Sequence, residues 1–137
     1  MKDRAKCRLG KESRGIVAID EDGEYCAGVI FDTWSVTSGQ CHVVIENPMV
    51  LRRGFLHEVF CYFFNTCGKI LLVGVTPSNN DAALRFNKKI GFREVYRIPN
   101  GHDYNVAQVI QEMRKDECRY LNHGQQQLRN TSRSVAA

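Results

Sequence analysis

The chain has 137 residues, 43% hydrophobic and 25% charged, with a formal net charge of +4. That composition suits one globular domain with a real core and excludes a disordered chain. No apolar run approaches the roughly 18 residues of a membrane span, and the polar opening MKDRAKCRLGKESRG lacks a secretory core, so the expectation is a soluble, cytoplasmic protein.

The charge is uneven: residues 1–14 carry six basic side chains against two acidic ones, and residues 112–137 carry five against three. The arm 1–14 reads as a solvated basic extension. Nucleic-acid binding is the less favoured use, because a basic patch alone is a weak footprint. Six cysteines (7, 26, 41, 61, 67 and 118) show no C-x-x-C spacing, which points to reduced thiols and assigns no metal ligands.

In chain order, GIVAID (15–20) alternates as a first strand, and EDGE (21–24) carries an Asp-Gly turn signal. YCAGVIFDTWSVTS (25–38) reads as a second strand that breaks near Asp32, with Ser38-Gly39 as the next turn. QCHVVIE (40–46) is a third strand, completing an antiparallel meander. Phe55, Leu56, Val59, Phe60, Phe63 and Phe64 then recur on one helical face within 53–67, and Gly68 suits the stop. The continuous run ILLVGV (70–75) suits a strand buried on both faces. Right-handed crossover makes it parallel to 40–46.

A second helix follows, capped from Ser78, Asn79 or Asn80 and stopped at Gly91. Residues 92–98 form another strand, Pro99-Asn100-Gly101 a turn, 106–113 a last strand and 114–121 a short helix. The tail 123–137 has few apolar anchors and is expected to be mobile. The domain is 15–121, flanked by the arm 1–14 and the tail 122–137.

The parallel pair locates candidate chemistry. The helix that follows strand 40–46 opens with unpaired N–H groups and partial positive charge, which suit phosphate oxygens. Arg52 and Arg53 stand there as charge-assisted donors, and Gly54 permits close approach. The alternative for these residues is ordinary solvated surface. Glu46, at the strand end, is the first candidate general base. His42 lies on the same strand face four residues earlier, and imidazole changes charge near neutral pH. His57 lies off the Phe stripe and reads as a surface residue. Phe31 and Trp34 suit core packing better than an acceptor site.

The segment VTPSNNDAALRFNKKIGFREV (75–95) resembles the signature of the GCN5-related N-acetyltransferase (GNAT) superfamily, matching at Asn80, Ala83, Phe86, Lys89, Gly91 and Phe92. The likeness extends over about residues 15–121. RRGFLHEVFCYFFN (52–65) and MRKDECRYL (113–121) are similar to short members encoded by bacteriophages. The resemblance implies an α/β fold of the mixed α+β kind, whose antiparallel and parallel sheet contains a splayed parallel pair. It implies acetyl-CoA as cosubstrate, with its pantetheine arm on the strand edge at Val43, Val44 and Ile45. The pyrophosphate would lie at Arg52, Arg53, Gly54 and Phe55, with Asn80 and Phe86 beside the gap.

Three departures qualify the likeness. No register of 51–57 satisfies the family's phosphate-loop pattern. Asn87 stands where many members place a Tyr that protonates the leaving thiolate, and an amide can only hydrogen-bond it. Only about fourteen polar residues precede the first strand, where the family opens with a strand and two helices. An open acceptor side is therefore expected, bare or covered by a second copy in a homodimer. The expected function is acetyl transfer to an amine of a protein or other large acceptor, such as a host protein in the host cytoplasm. The rivals are a catalytically degenerate binding protein (a phage modulator or virion component) and a nucleic-acid accessory using the basic arm.

Overall fold

The computed structural model describes residues 12–121, except for the side chains of Arg52 and Arg53. Most of the basic arm and the whole tail therefore lie outside the described residues. Strands β1 (Arg14–Ile19), β2 (Tyr25–Asp32) and β3 (Ser38–Ile45) form the antiparallel meander. β4 (Leu71–Pro77), β5 (Arg93–Asp103) and β6 (Val106–Arg114) complete one sheet of order β1-β2-β3-β4-β6-β5. Every neighbouring pair is antiparallel except β3 and β4.

The helical segments join the parallel strands. A 3-10 helix, Pro48–Arg53, opens under an Asn47 cap whose side chain accepts from the Met49 N–H. Gly54 then turns the chain at φ 80, a left-handed value that glycine adopts without penalty. Helix α1 (Phe55–Phe60) continues as π-helix from Cys61 to Thr66. The wider winding keeps Phe63 and Phe64 buried beside Phe60, which is the Phe stripe seen from inside. Helix α2 (Asp81–Ile90) opens at Asn80, whose side chain accepts from the Ala83 N–H, and closes at Gly91 at φ 118. No helix of the described residues is long and apolar enough to cross a membrane.

Both helices cover the same face. Strand residues Ala27, Val29, Phe31, Leu72 and Met113 join Phe55, Val59, Phe60, Phe63, Phe64, Ile90 and Phe92 in one apolar cluster. Cys41, Val43 and Ile45 pack against it. Phe31 stacks on Phe63 with centroids 5.2 Å apart, and Trp34 stacks on Phe63 at 5.9 Å. By strand alternation Gln40, His42, Val44, Val73, Val75 and Ile110 face the other side, where no described helix packs.

Several turn expectations are corrected. Ser38 and Gly39 start β3 rather than turn, because Ser38 and Gly39 pair with Leu71 and Leu72. The reversal lies in 33–37, held by the Ser35 hydroxyl and by Lys69 donating to the Ser35 carbonyl. Pro99, Asn100 and Gly101 belong to β5, an edge strand where a missing N–H is harmless. The turn comes later, at Tyr104 and Asn105, with Asn105 at φ 59. After β6 a single 3-10 turn, Lys115–Glu117, replaces the start of the expected helix.

Close approach of β3 to the π-helical segment needs Gly39: a Cβ there would lie 2.8 Å from Phe63 Cε2 and 3.2 Å from Trp34. At Gly74 the nearest atom would be Phe92 Cε1 at 3.6 Å, an ordinary contact. Gly39→Ala is therefore expected to destabilise by about 1–3 kcal/mol, while Gly74→Ala changes stability by less than about 1 kcal/mol; urea unfolding of the two variants checks the order.

Candidate functional site

The parallel ladder between β3 and β4 has four rungs, from Ser38↔Leu71 to Cys41↔Gly74, and then ends. Both strands run on. β3 stays paired to β2 through Ile45↔Ala27, and β4 stays paired to β6 through Pro77↔Gln108. A fork therefore opens in the middle of the sheet, between 42–45 and 75–77.

Each prong is tied outward. Past β3, the N–H groups of Glu46 and Asn47 both donate to the Cys26 carbonyl, at 2.8 and 2.9 Å. Two residues against one is a bulge, which bends and twists a strand. Past β4, the Ser78 N–H donates to the Ala107 carbonyl, and the Ala107 N–H donates to Ser78 Oγ, both at 2.8 Å.

The bond from Glu46 also fixes the phase of β3. Alternate residues of a strand direct their N–H and C=O groups to alternate edges. Glu46 serves β2, so Val44 and His42 do too, while Val43 and Ile45 direct their backbone groups toward β4. Beyond Cys41 no strand among the described residues meets them there. Val43 and Ile45 thus present free ladder groups to the fork, whereas the backbone of Val44, counted with them from the sequence, is spent on β2.

The helix starts lie at the same end. Because β3 and β4 are parallel and α1 joins them, α1 begins at the end where the strands part; α2, starting just after Pro77, does likewise. The first helical bond of α1 is Glu58 N–H to the Gly54 carbonyl, leaving the N–H groups of 55–57 without helical acceptors. Gly54 is exposed, and no atom lies within 4 Å of where its Cβ would stand. The Phe55 side chain is in the core, so only its backbone is available. Phe86 packs against the core cluster, and the Asn80 carbonyl oxygen caps α2. Arg52 and Arg53 end the 3-10 helix; their side chains lie outside the description.

On the helix-free face, His42 is the first β3 residue past the last rung. Its Nε2 lies 3.0 Å from Asp32 Oδ2, with side chains 25% and 20% exposed. Thr33 Oγ1 donates to the other carboxylate oxygen at 3.1 Å. Asp32 was missed in the sequence because the pair is a diagonal across β2 and β3, visible only once Ile30↔His42 and Asp32↔Gln40 fix the register. Behind them the Cys41 thiol is pushed up to about 12, by burial first and by the Asp32 charge second. Glu46 follows β3 on the exposed side.

The Asn87 amide is committed elsewhere. Its Nδ2 donates to Gln111 Oε1 at 2.9 Å and to Thr76 Oγ1 at 3.3 Å, and Thr76 also donates to Gln111 at 3.3 Å. Thr76 and Gln111 are 6% and 3% exposed. The two acceptors lie close together on one side of Nδ2, so they hold the Asn87 amide under α2. His57, expected at the surface, is half-buried, with Nδ1 3.0 Å from the Tyr120 carbonyl oxygen. Among the described residues no group of three or more His, Cys, Asp or Glu could hold a metal ion.

No protein-family model matches the chain, and no curated protein sequence does. Solved structures do. Spermidine N-acetyltransferase SpeG from Vibrio cholerae, in complex with CoA and spermine, superposes with a TM-score of 0.68 at 13% identity, over 81% of this chain and 69% of that one. A point variant of the same enzyme gives 0.68 at 14% identity, over 83% and 71%. A protein provisionally described as a phosphinothricin N-acetyltransferase gives 0.59 at 17% identity, over 77% and 73%. The fold, a six-stranded mixed sheet with one parallel pair, is that of these N-acetyltransferases.

The amide triad generates a stability test. Gln111→Leu removes the shared acceptor, so the buried Thr76 hydroxyl loses its acceptor and the Asn87 amide keeps only Thr76. A loss of about 1–3 kcal/mol is expected, measured by urea unfolding, and adding Asn87→Ala to the Gln111→Leu variant should cost little more.

Proposed function

We propose that the protein is an acetyl-CoA-dependent N-acetyltransferase. The observation that carries this reading is the fork. Val43 and Ile45 offer backbone donors and acceptors with no strand partner, inside a sheet whose neighbouring ladders are complete. Such an edge suits a ligand that hydrogen-bonds like an added strand, and the pantetheine arm, with its two amides, has that character. The exposed Gly54 and the N–H groups that open α1, which have no acceptor within that helix, suit its diphosphate. The CoA in the SpeG complex supports the same assignment.

The reaction needs little from the protein beyond placement. The acceptor ammonium gives one proton to a base. The freed amine nitrogen bonds the thioester carbonyl carbon, and the carbon–sulfur bond breaks. The departing sulfur takes the proton that the nitrogen sheds as the amide forms. A thiol with a pKa near ~8.5 leaves readily, so an amide in place of a general acid at Asn87 is no bar. His42 and Glu46 are the bases, on the face that no described helix covers. The lack of a described helix over β3 and β4 on that face supports an amine on a protein or another large molecule as acceptor, in the cytoplasm of a host as the bacteriophage likeness implies. It also leaves room for a second copy of the chain.

A second reading, a CoA-binding protein without turnover, is favoured by the altered phosphate loop alone. The two separate in two measurements. At a hundred times its Kd, acetyl-CoA should add about 2.7 kcal/mol of stability and raise Tm by several degrees. Release of free thiol with an amine acceptor, such as spermidine or a lysine-rich protein, should then follow. A Tm rise without thiol release would leave binding only; no rise at millimolar acetyl-CoA would remove both readings.

A further inference from the structure

We propose that Asp32 is a positioning residue that fixes which nitrogen of His42 takes the acceptor's proton. The inference rests on the amine-transfer reading above and adds a residue and a direction to it. An ionised carboxylate accepts hydrogen bonds and cannot donate them. With Asp32 Oδ2 3.0 Å from Nε2, Nε2 must carry the hydrogen. The neutral ring then has its lone pair on Nδ1, which has no hydrogen-bond partner among the described residues. Nδ1 is therefore the atom that can accept a proton.

The carboxylate is itself held. Thr33 Oγ1 occupies Oδ1 at 3.1 Å while His42 occupies Oδ2. Thr33 sits at φ 52, a left-handed backbone that β-branched side chains rarely adopt. The end of β2 thus carries an unfavourable conformation that brings a donor onto the oxygen His42 leaves free. Around the ring, the same face offers Ile30 on β2, Gln40 and Val44 on β3, and Val73 and Val75 on β4. Asp32 is the titratable group among these neighbours. The pair also stands where its action is required: His42 is the residue at which β3 leaves β4, so a thioester lying in the fork would end beside the ring.

The arrangement has a second consequence. When Nδ1 takes its proton the ring becomes a cation, and the adjacent carboxylate stabilises it. Asp32 need not change its own protonation for this. Losing the carboxylate should slow proton removal and leave acetyl-CoA binding untouched, because Asp32 contributes nothing to the fork's backbone edge.

Long-range 15N–1H spectra of the imidazole, recorded on the whole chain, read the tautomer whether or not an acceptor is known. The expected result is a neutral His42 with hydrogen on Nε2 in the wild type, shifting toward a mixture of tautomers in Asp32→Asn. Hydrogen on Nδ1 in the wild type, or a spectrum unchanged in Asp32→Asn, would overturn the proposal. In turnover, Asp32→Asn should lower kcat about 10–1000-fold with the acetyl-CoA KM unchanged, Asp32→Glu should recover part of it, and neither should matter further in a His42→Ala background. Equal losses in that background would show a merely structural role. If the wild type turns over no amine, the amine-transfer reading fails by itself, and the spectra still decide the positioning claim.

Discussion

A sheet interior does not tolerate unmatched N–H and C=O groups, and the rest of this molecule is organised around one place where they occur. β3 and β4 share four rungs and then part. Each strand end is hydrogen-bonded outward, away from the other. The bulge at Cys26 holds the end of β3 to β2, and the exchange between Ser78 and Ala107 holds the end of β4 to β6. Each prong stays paired along its outer edge, and among the described residues no strand pairs with its inner edge. The half-buried backbone groups along this gap are open to a hydrogen-bonding ligand.

The core serves that arrangement. Phe63 lies under the four closed rungs, against Gly39, with Phe31 and Trp34 stacked around it. This packing fixes the closed end of the fork. At the open end the covered face carries the Thr76, Asn87 and Gln111 network instead of more hydrocarbon. A satisfied polar cluster holds α2 to β4 and β6 in one register, which a greasy contact of the same area would not do as strictly. The other face carries His42 and Asp32. One sheet thus carries an open strand edge in its plane and the His42–Asp32 pair above it.

Much of this was legible in the sequence. The Phe spacing in 53–67 marks the helix and its buried face, and Asn80 and Gly91 bracket α2 as their chemistry requires; ILLVGV marks the central strand, but β4 is buried on alternate residues rather than on both faces, and Ile70 lies outside it, half-exposed. The parallel relation of β3 to β4 follows from the crossover between them, and the fork was expected from the resemblance at 75–95. What escaped is what depends on register. Asp32 and His42 are ten residues apart and meet only through a diagonal. Gln111 reaches Asn87 from a strand that alternation alone marks as ordinary. Ser38-Gly39 and Pro99-Asn100-Gly101 carry turn chemistry, yet both continue strands, one because Gly39 must admit Phe63 and the other because an edge strand forgives a proline.

The account stands on the inner edge of β3 being the place where the ligand binds. Backbone amide spectra of the labelled chain, followed while CoA is added, test this directly. The account predicts that the Val43 and Ile45 N–H signals move most within β3, while those of His42 and Val44, bonded toward β2, move least. Saturation by CoA with the Val43 and Ile45 signals unmoved, or with the changes centred elsewhere on the molecule, would contradict it.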